Sequence, residues 1–309
     1  MSLTFTNVTS LWKSEKRQWV KPSTYAEYIY HLNKHILPFF GPMDSGSINE
    51  DSVQRFVNGL LAEGLSQSTI RDCLMVFRML LRHGSKLGAW KLIAFDVHFP
   101  SDVEKKRSVC VLSASDQKVL LAHLKQNFSF RNLGILICLH TGLRIGEICG
   151  LQWKDLDIEA GVIHVTKTVQ RIWLNDDGEK SYSLSVGTPK TPTSNRDIPI
   201  CRELMKTIRP LRKLMADDFY VVSNSAKPLE PRYYRDYFRK LLGRLGIPQI
   251  RFHGLRHSFA TRCIESKCDY KTVSAILGHS SIATTMDLYV HPGYDEKKRA
   301  IEKMARMLK

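Results

Sequence analysis

Paired cysteines are missing from this chain. The seven that occur (Cys73, Cys110, Cys138, Cys149, Cys201, Cys263 and Cys268) are odd in number, scattered, and never at C-x-x-C spacing. They exclude a disulfide scaffold and read as reduced, mostly buried small hydrophobes. Long apolar runs are missing too: the absence of any stretch of roughly 18 apolar residues excludes a membrane-spanning helix. The start, Met-Ser-Leu-Thr-Phe-Thr-Asn, lacks the basic patch and apolar stretch of a secretory signal, so a soluble protein of the cytoplasm is expected. Neither an internal repeat nor a low-complexity segment is present. Acidic residues are scarce. Thirty Asp and Glu face 46 Lys and Arg, a formal charge of +16 in 309 residues, which suits a protein that holds a polyanion.

What is present fits two domains, at about 150 residues each. Residues 6–87 read as four helices. Pro22-Ser23 opens one carrying Tyr25, Tyr28, Ile29 and Leu32; 49–61 makes another, closed by Gly64; 66–81 repeats Ile70, Cys73, Leu74, Phe77 and Leu81 at helical spacing. Between Lys91 and Val111 the periodicity lapses, Pro100 interrupts, and Glu104-Lys105-Lys106-Arg107 forms a charge run, which together predict an interdomain linker with its boundary near residue 105. Helices are expected over 113–126 and 130–140. Short antiparallel strands follow over 162–166, 169–173, 181–186 and 196–200, with Asn175-Asp176-Asp177-Gly178 as a turn. Helices then dominate: 203–214, 232–245, 253–265, 270–277, 282–290 and 296–308. The fold class is therefore mainly α with a small antiparallel sheet, α+β. Residues 1–100 hold 11 basic and 8 acidic side chains against 35 and 22 in the remainder, so the second domain should make most phosphate contacts.

Several segments of that second domain suit a phosphodiester. In Thr141-Gly142-Leu143-Arg144-Ile145-Gly146-Glu147 a glycine breaks a buried helix and presents Arg144 with Glu147 three residues on; the guanidinium fork fits two phosphate oxygens and the carboxylate can orient it. Lys190, in Thr188-Pro189-Lys190-Thr191-Pro192, lies on a turn from which an ammonium can lean over a substrate. Phe252-His253-Gly254-Leu255-Arg256-His257 puts His253 and Arg256 one turn apart at a helix start, where backbone N–H groups also favour an anion. A metal reading of His253 and His257 fails for want of the intervening Glu and a third ligand. His279 follows in Leu277-Gly278-His279, and Tyr289 ten residues later in Met286-Asp287-Leu288-Tyr289.

The ordered set Arg144, Lys190, His253-x-x-Arg256, His279 and Tyr289 resembles the tyrosine recombinase (phage integrase) family, closely over about residues 112–292 and more loosely over the helical first 90. Departures are small: Gly254 stands where Asp is common, and Ser258 where Thr is common. The resemblance implies a helical core-DNA-binding domain (1–105, SAM-like, with the linker) and a catalytic domain (106–309), closed as a C-shaped clamp on double-stranded DNA. It implies attack by Tyr289 to give a 3′-phosphotyrosine, with neither metal nor ATP nor another cofactor. Arg144 and Arg256 would clamp the phosphate, Lys190 protonate the departing 5′-oxygen, His253 help move the tyrosine proton as general base or hydrogen-bond partner, His279 bond the phosphate and Glu147 orient its neighbours. A homotetramer on two DNA sites, with the apolar stripe Ile301, Met304, Ala305 and Leu308 exchanged between protomers, follows by the same resemblance. An accessory DNA-bending or excisionase factor would be a further partner, and nucleoid association the expected location. The strand insertion around 170–185 and a first helix that starts at once, leaving no room here for an arm-binding domain, favour the integrase of a mobile element. The alternatives are a Xer-type resolvase of replicon dimers and a catalytically idle DNA-binding regulator.

Overall fold

The computed structural model describes residues 4–100, 110–176, 179–188, 192–289 and 294–307. Its contacts divide the chain into two compact units, Met1–Lys106 with Ile172–Ser183, and Arg107–Arg171 with Leu184–Lys309. The boundary expected near residue 105, the charge run beside it and Lys190 lie outside the described residues.

Unit 1 is helical: α1 (Phe5–Trp19), α2 (Pro22–His31), a π turn (Leu32–Ile36), α3 (Leu37–Phe40), α4 (Glu50–Ala62) and α5 (Gln67–Lys86). Local chemistry sets the starts. The Thr4 and Ser66 hydroxyls accept from the amides of Asn7 and Thr69, and Asn49 and Ser52 cap each other reciprocally ahead of α4. Phe5, Trp12, Ile29, Phe40, Phe56 and Phe77 meet in the core, where the rings of Phe40 and Phe77 stack 4.2 Å apart.

Two stretches depart from the sequence expectation. Residues 91–100, expected as part of an interdomain linker, lie along the helices: the amides of Asp96 and His98 donate to the Glu50 and Gln54 side chains at 2.7 and 2.9 Å, and Gln67 donates to the Pro100 carbonyl at 2.8 Å. Ile93, Phe95, Val97 and Phe99 are half-buried against the core. Their period of two is that of an extended chain with one covered side. The second departure is the strand segment 172–183, which groups with unit 1 because Leu174 packs on its core and Asp176 accepts from Lys13 Nζ at 2.9 Å and Tyr25 Oη at 3.0 Å.

Unit 2 opens with α6 (Ala114–Gln126), α7 (Phe130–Thr141) and a short α8 (Ile145–Gly150) that the sequence reading did not anticipate. Strands β1 (Leu156–Asp157), β2 (Val162–Val165), β3 (Thr168–Asp176), β4 (Glu179–Gly187) and β5 (Arg196–Pro199) follow. Then come α9 (Arg202–Arg212), α10 (Pro231–Arg244), α11 (His253–Glu265), α12 (Tyr270–Leu277), α13 (Ile282–Tyr289) and α14 (Tyr294–Met307). One sheet runs β1-β2-β5, antiparallel, with Ile163 opposite both Leu156 and Ile198; β3 and β4 form a second. Helix α7 is buried nearly all round, which is why its sequence is almost continuously apolar. No helix among the described residues is long and apolar enough to cross a membrane.

Candidate active site

Two left-handed glycines set the geometry. Gly142 closes α7 at φ 66° and Gly278 closes α12 at φ 66°, a conformation that costs an L side chain energy and glycine none. Each aims its carbonyl at an arginine: Arg256 Nη1 donates to the Gly142 oxygen at 3.0 Å, and Arg144 Nη2 to the Gly278 oxygen at 3.0 Å. The helix ends that the sequence marks with glycine thus tether both expected phosphate ligands.

Glu147, on the first turn of α8, is buried and saturated. It accepts from the Arg144 amide at 2.9 Å, from Arg144 Nη1 at 2.8 Å, and from Arg196 Nη1 and Nη2 at 3.1 Å each. Burial alone would raise its pKa; the hydrogen bonds and charge of Arg196, with Arg144, outweigh that and hold it below the ordinary carboxylate value. Arg196 is further fixed by the carbonyls of Ile276 and Ser194 at 2.5 and 3.0 Å.

Two guanidiniums therefore converge on one carboxylate, and with Arg256 close by the cations outnumber it, leaving net positive charge in the recess. Arg256 is 1% exposed, and its Nη2 has no hydrogen-bond partner among the described residues. Burial, then repulsion from Arg144, pulls its pKa down to about 9, so it remains a cation near neutrality. A buried donor of this kind costs free energy until an acceptor arrives. Arg144 keeps 35% of its side chain exposed beside it, which leaves that acceptor an approach from solvent.

The histidines line the same recess. His279 Nδ1 pairs with the hydroxyl of fully buried Thr285 at 2.8 Å, and burial together with the Arg256 and Arg144 charges lowers its pKa to about 4. His253 meets His257 edge-on, ring centroids 4.6 Å apart. Partial desolvation, then His257, Arg256 and Arg144, lowers the His253 pKa, although the ring keeps an exposed edge.

Tyr289, at the end of α13, is 9% exposed among Ala260, Val273 and Leu277. Its hydroxyl lies 2.5 Å from Nδ1 of His257, not against His253 as the sequence reading expected. The reason is helical phase: His257 is one turn beyond His253 on α11 and nearer the α13 end. Burial raises the Tyr289 pKa and lowers that of His257, so a neutral imidazole faces a protonated phenol.

Of the expected site residues, Arg144, Glu147, His253, Arg256, His279 and Tyr289 come together in unit 2. Sequence reasoning missed Arg196, treated only as a strand start, and Thr285. It weighed His257 only as a metal ligand, although its position one turn after His253 was a usable signal. At the two departures from the family pattern, a Cβ on Gly254 would lie 2.9 Å from the Cys110 carbonyl, and Ser258 Oγ accepts from the Leu112 amide at 2.8 Å.

Comparison with known proteins gives the family. Residues 111–296 match the phage integrase family, and residues 4–61 match the phage integrase N-terminal SAM-like domain. The chain is 28% identical to a "Tyrosine recombinase XerC-like" protein of Caldanaerobacter subterraneus subsp. tengcongensis, over 91% of this chain and 77% of that protein. It is 25% identical to the ICEBs1 integrase of Bacillus subtilis, over 99% and 84%. Among solved structures, the Tn1549 transposon integrase in complex with a circular intermediate DNA superposes with a TM-score of 0.75 at 22% identity, covering 98% of this chain and all of that one. A lambda integrase tetramer bound to a Holliday junction gives 0.65 at 16% identity, covering 95% and 80%. The chain belongs to the phage integrase family: it is a tyrosine recombinase, an enzyme of site-specific DNA recombination.

Proposed function

We propose that this enzyme is the integrase of a mobile element, cutting and rejoining double-stranded DNA through a 3′-phosphotyrosine on Tyr289. The observation that carries the chemistry is the buried Nη2 of Arg256, without a partner among the described residues, beside Arg144. Together they offer a phosphate two forks held by glycine carbonyls, preorganised for the charge that develops in phosphoryl transfer.

In cleavage the Tyr289 oxygen bonds to phosphorus and the 5′-oxygen departs. The phenolic proton passes to His257 Nδ1, and a proton from Lys190 caps the leaving oxygen; attack by a 5′-hydroxyl of the partner strand reverses the step. Because the ester bond energy is stored on Tyr289, no ATP is consumed. Glu147 and Arg196 hold the clamp, His253 packs His257 in place, and His279, fixed by Thr285, donates to the phosphate. The helical unit 1 serves DNA binding and unit 2 catalysis, with the division near residue 105. Four protomers act on two sites, an assembly supported by the exposed Ile301, Met304 and Met307 of α14. The mobile-element assignment is supported by likeness to the ICEBs1 integrase over nearly the whole chain. The similarity to a XerC-like protein keeps resolution of replicon dimers as a second reading.

A suicide substrate nicked near the cleavage site tests the chemistry. Wild type should become covalently attached to DNA on a denaturing gel, and His257→Ala should attach at least tenfold more slowly at saturating DNA. Attachment of His257→Ala at the wild-type rate, with His253→Ala slow, would return the proton to His253. Excision of a direct-repeat-flanked segment, against resolution of a plasmid dimer, separates the two biological readings.

A further inference from the structure

Unit 1 contains a polar cluster to which the proposed cleavage chemistry gives no role. His31 ends α2, His35 lies on the π turn that follows, and Cys73 lies within α5. All three are buried, at 5%, 6% and 0% exposure, within the same core as Phe40, Leu74 and Phe77. One donor atom from each lies within 4.8 Å of the others, and Cys73 Sγ is 3.2 Å from His31 Nδ1. No other group of three His, Cys, Asp or Glu side chains among the described residues converges in this way.

Two further features point the same way. The backbone carries a π turn at this place, with Leu37 N–H bonded to the Leu32 carbonyl five residues back; such widened turns within helices recur at functional positions. Carboxylates also surround the cluster, Asp72 and Glu27 acting on His31 and Glu63 on His35. The opposing cation is Lys34, whose ammonium is held by the Tyr30 hydroxyl at 2.9 Å.

We propose that His31, His35 and Cys73 form a zinc site that ties the π turn to α5. Zinc takes thiolate and imidazole at roughly 2.3 and 2.0 Å, which places tetrahedral donors about 3.3–3.6 Å apart. The Cys73–His31 spacing is already close to that, and His35 closes the rest by rotation of its side chain. A solvent oxygen completes four-fold coordination. As the S–Zn bond forms, the Cys73 thiol gives its proton to solvent, and the remaining charge of metal plus thiolate is offset by the surrounding carboxylates.

The alternative occupant of this space is a plain hydrogen bond between Cys73 and His31 in an apolar core. Cobalt(II) added to the metal-stripped full-length protein separates the two. The zinc site gives one cobalt per chain with a thiolate-to-metal charge-transfer band in the near ultraviolet, displaced by equimolar zinc. Histidines elsewhere bind cobalt without that band, and the six other cysteines, all retained in Cys73→Ala, set the background against which the Cys73 band is read. Cys73→Ala, which replaces one small hydrophobe by another, abolishes the band; chelation lowers the melting temperature of wild type and leaves that of Cys73→Ala unchanged. Wild-type protein that binds cobalt without the band, or takes up no more metal than Cys73→Ala, overturns the site. Absence of the band in wild type overturns the site even where the variant fails to fold, and the measurement involves neither DNA nor Tyr289.

Discussion

Removing one oxygen from Tyr289 is the smallest change that parts binding from chemistry. Tyr289→Phe keeps the packing against Ala260, Val273 and Leu277, so DNA affinity should stay within about twofold of wild type while covalent attachment to a nicked substrate disappears; attachment by the Phe variant would remove Tyr289 from its role. Arg144→Ala and Arg256→Ala should each slow cleavage by about 10²–10³-fold, the usual cost of deleting one preorganised donor. Lysine should not rescue either, because an ammonium cannot reach a glycine carbonyl and a phosphate with one fork. Single-turnover rates within fivefold of wild type would exclude the residue concerned. His279 carries a pH signature. Its pKa is about 4 in the folded protein against an ordinary 6.5, so between these values the unfolded chain binds more protons and the DNA-free enzyme loses stability as pH falls from about 6.5 towards 4. Phosphate binding favours the protonated imidazole, so DNA affinity should rise over the same interval. Urea melts of the free protein and DNA-binding titrations at several pH values, with wild type compared against His279→Gln, check the two slopes.

The elements contribute their ends more than their middles. Helices α7 and α12 stop at left-handed glycines whose carbonyls hold Arg256 and Arg144, so a helix terminus here is part of the recess. Gly142→Ala would force a side chain into φ 66° and place its Cβ 2.6 Å from Phe259 Cδ1 and 2.7 Å from Leu277 Cδ2. The expected cost is about 2–4 kcal/mol from left-handed strain and overpacking together, with cleavage falling further than stability accounts for as the Arg256 tether shifts. A urea midpoint unchanged from wild type would show that the α7 end relaxes freely. Extended elements proved harder to read than helices. Over residues 91–100 the alternation of Ile93, Phe95, Val97 and Phe99 was present in the sequence, yet a period of two with only one covered side gives a weaker signal than the helical faces of α4 and α5.

For the whole molecule, the informative surface is α14. Ile301, Met304 and Met307 are 64%, 51% and 82% exposed, whereas an amphipathic helix ordinarily buries such a stripe. Deleting residues 295–309 should leave single-site DNA binding within about threefold of wild type and abolish synapsis of two duplexes, as read by native mass measurement on paired sites. Four truncated protomers still assembling and recombining normally would make the tail dispensable. DNA binding itself should weaken steeply with salt, since each neutralised phosphate adds roughly −0.9 to the log–log slope.

The amino-acid sequence by itself determined the class of fold, most helix starts through their Ser, Asn and Pro residues, and the resemblance to the family carried by the spaced residues from Arg144 to Tyr289. These are legible because capping and helical periodicity act within a few residues, and because the spaced motif needs only order along the chain. The tertiary structure alone decided which polar groups meet. Arg196 reaches Glu147 across 49 positions, Arg144 reaches Gly278 across 134, and Arg256 reaches Gly142 across 114. Such pairs leave no mark in a periodicity, which reports only which side of an element faces water. The same holds for Tyr289 choosing His257 over His253, and for Cys73 arriving between two histidines 38 and 42 residues earlier. In each case the local chain supplies the chemical group, and long-range packing supplies its partner.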